Sequence, residues 1–200
     1  HSAPFILETE KMRSHIGIAF KAGGAFPFVP LPASELHNEV VPLDTLWGSQ
    51  VFSLRDQLLE ASTAEAKFAI LEQTLLARLP RLDLIHPAVS FAVAHFPQVL
   101  SPRPVSTVAE QVGLSLRRFN QLFDAQVGLS PKRFHRVQRF QRLLGQIYGQ
   151  ATVDWADVAC ANGYFDQAHL IHEFQELAGI SPSSYLAGAN RHMNHVVMDG

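Results

Sequence analysis

The apolar positions change their period along the chain. Near the start, Ile16, Ile18 and Phe20 alternate with Gly17 and Ala19. This is the pattern of a short strand with one apolar face. Gly23-Gly24 predicts a turn, and Pro27, Pro30 and Pro32 hold the next stretch extended. Helical spacing then takes over. Val51, Leu54, Leu58 and Leu59 predict one helix. Ser62 with Glu65 is a capping-box pattern that opens a second, running through Phe68, Leu71, Leu75, Leu76 and Leu79 until Pro80 stops it. Pro87 suits the first residue of a third helix reaching about Phe96, and Pro97 to Pro104 reads as a linker. A few short strands cannot make a core alone, so the opening part either leans on these helices or is one piece of a larger unit.

The second half repeats itself at a shift of 50 to 51 residues. Val108-Ala109 with Gly113 recurs as Val158-Ala159 with Gly163. After one inserted residue, Phe123 recurs as Phe174, Gly128 as Gly179, Ser130-Pro131 as Ser181-Pro182, and Phe134 as Tyr185. Each copy parses alike. A short helix (about Ser106 to Val112, then about Asp154 to Ala161) packs with a small alanine and ends at a glycine, which a left-handed helix terminus favours. Ser115 or Asp166 caps the helix that follows. That helix ends near Gly128 or Gly179, and Ser-Pro opens the next with proline in its first position. Two helices joined by a short glycine-containing turn form a helix-turn-helix. Between the copies a long helix is expected from Pro131 to about Tyr148, with Phe134, Val137, Phe140, Leu144 and Ile147 on its apolar side.

Composition and charge narrow the chemistry. A hydrophobic content of 47% against 17% charged excludes a chain disordered throughout. No apolar run reaches the length of a membrane span. The single cysteine, Cys160, excludes an internal disulfide, and no basic-then-apolar leader opens the sequence, so a cytoplasmic setting is expected. The net charge of −2 conceals a basic block: residues 101–150 carry eight basic side chains against two acidic ones, a net +6, between flanks of −3 and −5. Such a block points to a polyanion-facing surface.

In the first copy Phe119, Leu122, Phe123 and Val127 form the buried stripe of the second helix, and Arg117, Asn120, Gln121 and Asp124 the opposite face. Arg, Asn and Gln are the side chains that pair two-pronged with guanine or adenine edges, so Arg117, Asn120 and Gln121 are the candidate base readers. Arg118 beside them is placed for a phosphate. The shift maps this face onto Ala168, Ile171, His172 and Gln175, with Gln167 at the helix start. Ala and Ile suit a thymine methyl and Gln suits adenine. Lys132, Arg133, Arg136 and Arg139 fall largely on the polar side of the long helix, the side for a DNA backbone. Asp166, Glu173 and Glu176 repel phosphate, so the second copy is expected to bind more weakly. A connector of about 17 residues spans roughly 25 Å. Successive major-groove faces recur about every 34–36 Å, so two reading helices on adjacent grooves are within its reach.

With these residues in place, the chain from about Leu82 to Leu186 resembles the AraC/XylS family of transcription regulators. The resemblance rests on Val108-Ala109, Gly113-Leu114-Ser115, Phe119, Phe123, Gly128-Leu129-Ser130-Pro131 and Phe134. It rests still more on Ala159, Gly163-Tyr164-Phe165-Asp166-Gln167-Ala168-His169, Phe174, Gly179-Ile180-Ser181-Pro182 and Tyr185. It implies two helix-turn-helix units on one DNA half-site, with Arg117, Asn120 and Gln121 and then Gln167, Ala168, Ile171 and His172 facing base edges. Gln175-Glu176 stand where the family carries basic residues, which implies a weaker second grip. The segment from His15 to Gly48, with Gly17-Ile18-Ala19-Phe20, Gly23-Gly24-Ala25-Phe26-Pro27-Phe28, Pro32-Ala33-Ser34-Glu35-Leu36 and Leu46-Trp47-Gly48, looks like the tail of an uncharacterised sensor domain of a subgroup of these regulators.

Other chemistry is thinly supported. His169 and His172, beside Glu173 and with His192 and His195 in the tail, lack the second spaced cluster that a zinc site needs. Cys160 falls where the repeat asks for a small buried residue, and Trp47 with Phe26 and Phe28 reads as core before it reads as an effector pocket. No phosphate loop, serine elbow or carboxylate pair is present, so no enzyme, metal or cofactor is expected. The expected architecture is mainly α: two helix-turn-helix subdomains joined by a long helix, preceded by a small partial α+β region. The expected division is a partial sensor region at 1–80, the double helix-turn-helix at 81–190 and a tail at 191–200. The function expected is sequence-specific DNA binding by a transcription regulator, with Arg118, Lys132, Arg133 and Arg136 on phosphates. The alternative is an interaction module whose acidic second copy binds a partner while only the first meets DNA. Expected partners are double-stranded DNA, RNA polymerase, a small-molecule effector and a second copy of the chain.

Overall fold

The computed structural model describes residues 16–79, 85–96 and 104–188. Pro80, the linker at 97–103, and the tail at 191–200 with His192 and His195 lie outside them. The helices are α1 (Leu43–Trp47), α2 (Gln50–Glu60), α3 (Ala64–Arg78), α4 (Pro87–His95), α5 (Val105–Gln111), α6 (Leu116–Val127), α7 (Pro131–Ile147), α8 (Trp155–Ala161), α9 (Gln167–Ala178) and α10 (Pro182–Gly188). Among the described residues there is no strand. The expected α+β region is therefore corrected to an all-helical one.

The physical reason lies in the missing ladder. A strand needs a neighbour to take its N–H and C=O groups, and Ile16 to Phe20 has none among the described residues. Prolines at 27, 30, 32 and 42 remove donors from the stretch that would have paired. The chain turns instead, Gly24 N–H donating to Lys21 O, and winds two short 3-10 turns at Phe26–Phe28 and Ala33–Leu36. Phe20 lies against Phe28 with ring centroids 5.2 Å apart. Trp47 donates its indole N–H to Phe28 O at 2.7 Å, and Arg78 covers the indole face. The α3 cap is Thr63, whose hydroxyl accepts from Ala66 N–H, one residue past the expected Ser62.

Contacts fall into two compact units, residues 17–93 with 109–130 and residues 94–108 with 131–188. In the first, Phe119 and Phe123 are fully buried on α6, and the C-terminal end of α6 is held from three directions. Gln126 is buried and accepts the His86 N–H. Gly128 ends the helix with a left-handed φ of +82°. There the Ala33 carbonyl lies so close that a Cβ on Gly128 would stand 2.8 Å from its oxygen, and His37 Nδ1 donates to Gly128 O at 2.9 Å. In the second unit α7 packs against α9 around Phe140, Leu143, Leu144, Ile147, Leu170, Phe174 and Tyr185. Phe140 and Phe174 meet edge-on at 5.0 Å.

Candidate nucleic-acid interface

Both candidate reading helices are built by the same local rules. On α6 the Ser115 hydroxyl accepts the Arg118 N–H, and on α9 the Asp166 carboxylate accepts the His169 N–H. Gly128 and Gly179 close the two helices in the left-handed region. The turns before them match as well: Leu114 N–H donates to Ala109 O, and Tyr164 N–H to Ala159 O, each at 2.9 Å.

With Phe119 and Phe123 turned inward on α6, Arg117, Arg118, Asn120, Gln121 and Asp124 are all exposed. On α9, Leu170 and Phe174 are buried while Gln167, Ala168 and His172 are exposed. Ile171 is half-buried and packs against the core of its unit, so it presents only part of its side chain. Cys160, cast by the repeat as packing, is exposed on α8.

The long helix α7 divides its basic residues. Lys132 and Arg133 are exposed. Arg136 is half-buried, with Nε 3.0 Å from Glu173 and Nη2 2.6 Å from Glu176. Arg139, read from sequence as backbone-facing, is buried and forks onto both oxygens of Glu173 at 2.7 and 2.8 Å. Its Nη1 also reaches Gly163 O at 3.2 Å, and its guanidinium lies 4.2 Å from the Tyr164 ring centre. Glu173 is itself buried, so this carboxylate is compensated inside the fold instead of repelling phosphate outside it.

The electrostatics follow from these contacts. The Arg136 hydrogen bond holds the Glu176 carboxyl below its ordinary range, and Glu176 in turn raises Arg136. Burial, and after it the Glu173 charge, pushes the Tyr164 phenol well above its usual value. A cleft of about 530 Å³ opens beside the pair, lined by Phe96, Lys132, His135, His169 and His172 among others. Among the described residues no three His, Cys, Asp or Glu side chains are grouped to hold a metal ion, and no helix is long and apolar enough to cross a membrane.

This geometry can be set beside known proteins. Residues 108–188 match the model of a helix-turn-helix domain family. The chain is 26% identical over 155 residues to the arabinose operon regulatory protein of Escherichia coli, covering 71% of this chain and 53% of that protein. The namesake from Salmonella typhimurium is 27% identical over 145 residues, covering 66% and 51%. Over residues 108–188 the chain is thus similar to helix-turn-helix domains. Both of these relatives are operon regulatory proteins. The chain spans about half the length of the curated relatives it matches. A solved structure, the C-terminal domain of AraT, a response regulator from Geobacillus stearothermophilus, superposes with a TM-score of 0.48 at 19% identity, covering 52% of this chain and 88% of that one.

Proposed function

We propose that the chain is a sequence-specific DNA-binding transcription regulator that reads two adjacent major grooves. The observation that carries the reading is the face of α6. Its two phenylalanines are fully buried, and the opposite side presents Arg117, Asn120 and Gln121 together in solvent. These side chains pair with guanine and adenine edges, and Arg118 beside them takes a phosphate. On α9 the readers are Gln167, Ala168 and His172, with Ile171 contributing what its packing leaves exposed. Lys132 and Arg133 hold the DNA backbone. Arg136 contributes less, because its Nε and Nη2 are engaged by Glu173 and Glu176. Residues 17–79 are read as part of a sensing region. The compensation of Glu173 by Arg139 lowers the charge that argued for a partner-binding second copy.

Selection of bound sequences from random DNA tests this directly. A two-part enriched sequence and a footprint over two consecutive major grooves on one face are expected. Protection of a single groove would reject the second helix as a reader. Gln121→Ala is expected to lose discrimination at one or two base pairs, by about 1–3 kcal/mol. An equal loss on selected and random DNA would count against base reading.

A further inference from the structure

We propose that Phe165 is a base-contacting residue that covers the C5 methyl of a thymine in the part of the site read by α9. The inference rests on the DNA-binding reading above and extends it to a residue outside the reading helices.

Phe165 is the one residue by which the second turn is longer than the first. Leu114 and Tyr164 make the same hydrogen bond back into the preceding helix, to Ala109 O and Ala159 O. After Leu114 the cap Ser115 follows at once, whereas after Tyr164 the cap Asp166 follows only beyond Phe165. Tyr164 takes the packed place, 5% exposed, and the added Phe165 is 91% exposed.

That exposure is unusual for its position. A large apolar residue just before a helix cap ordinarily folds onto the fourth helical residue. On α9 that residue is Leu170, which is already enclosed in the core. Nor is Phe165 carried on a slack loop. Its own N–H donates to His169 Nδ1 at 3.3 Å, and the cap after it binds His169 N–H at 2.7 Å. Two bonds onto one histidine therefore hold the backbone that presents the ring.

The first turn of a reading helix is the part that meets base edges in this motif. Gln167 and Ala168 sit in that turn of α9, two and three residues from Phe165, and are exposed like it. An apolar ring there has one complementary feature in the major groove, the thymine methyl.

The test uses the full chain and the DNA enriched by it. Each thymine in the part assigned to the second copy is replaced by deoxyuridine, which lacks only the methyl group. At one position the wild-type protein is expected to bind about 4-fold more weakly, the worth of one buried methyl. Phe165→Ala is expected to bind the thymine probe about 10-fold more weakly, to bind both probes equally, and to unfold at the same temperature as wild type. Phe165→Leu retains part of the methyl preference.

A methyl preference that survives in Phe165→Ala, or a wild type indifferent to every methyl, would overturn the assignment while leaving the regulator reading intact. Unchanged DNA binding by Phe165→Ala with altered self-association in sedimentation would also overturn it, in favour of a protein contact. A wild type that enriches no sequence removes the DNA reading itself, and this inference with it.

Discussion

Glu173 shows how one side chain can be misplaced by charge alone and placed by its neighbours. Counted as a charge, it repels phosphate. Counted by position, it lies three residues after Leu170 and four before Leu177, on the buried side of α9. An acid on an apolar stripe requires a buried base, and Arg139 meets it. Glu173→Ala leaves that guanidinium enclosed without its partner, and a loss of about 3–5 kcal/mol is expected in urea unfolding. Replacing both residues by apolar ones of similar volume is expected to cost less than the single change. Tyr164 offers a second check, because its hydroxyl is buried with no hydrogen-bond partner. Tyr164→Phe is expected to stay within about 0.5 kcal/mol of wild type at neutral pH. The sign with pH follows from the raised phenol. Below a pH of about 10 both folded and unfolded chains hold the proton. Above it the unfolded chain releases the proton first, and stability falls as pH rises. Thermal melts of Tyr164→Phe should lack that part of the alkaline decline.

The elements were legible where a residue type has one main use. Ser115, Asp166, Gly128 and Gly179 mark helix ends by chemistry that does not depend on the rest of the fold, and all four stand where the repeat put them. Ile16 to Phe20 was not legible in the same way. Alternation states which face is apolar and leaves open whether a partner strand exists, and among the described residues there is none. Two glycines separate conformational strain from close approach. Gly149 has φ +77° with open space around a Cβ, while Gly128 has φ +82° and the Ala33 carbonyl in the way. Gly149→Ala is expected to cost about 1 kcal/mol, and Gly128→Ala at least about 2 kcal/mol. Equal melting shifts would mean that Ala33 moves aside freely.

Across the whole molecule the basic block and the repeat were both readable from sequence, because each is a matter of spacing and sign. The division of labour within the block was not. Lys132, Arg133, Arg136 and Arg139 look equivalent as charges, and only packing separates the exposed pair from the pair bound to Glu173 and Glu176. With Arg118, Lys132 and Arg133 as the phosphate contacts, the logarithm of the DNA-binding constant should fall against the logarithm of salt with a slope of about −3. Arg133→Ala should weaken selected and random DNA alike and flatten the slope by about 1. A slope unchanged in that variant would remove Arg133 from the contact set.

The strap formed by Ala33 and His37 on Gly128 joins the rear of a candidate base-reading helix to a stretch 91 residues earlier. Opening that stretch is expected to fray the last turn of α6 from behind, without anything touching the face that carries Arg117, Asn120 and Gln121. In a deuterium-uptake experiment His37→Ala should hasten labelling of the amides from Asp124 to Gly128 and leave those from Gln167 to Ala178 at their former rate. A small molecule that pries up residues 33–37 would leave the same isotopic trace, and so could be found by screening for it.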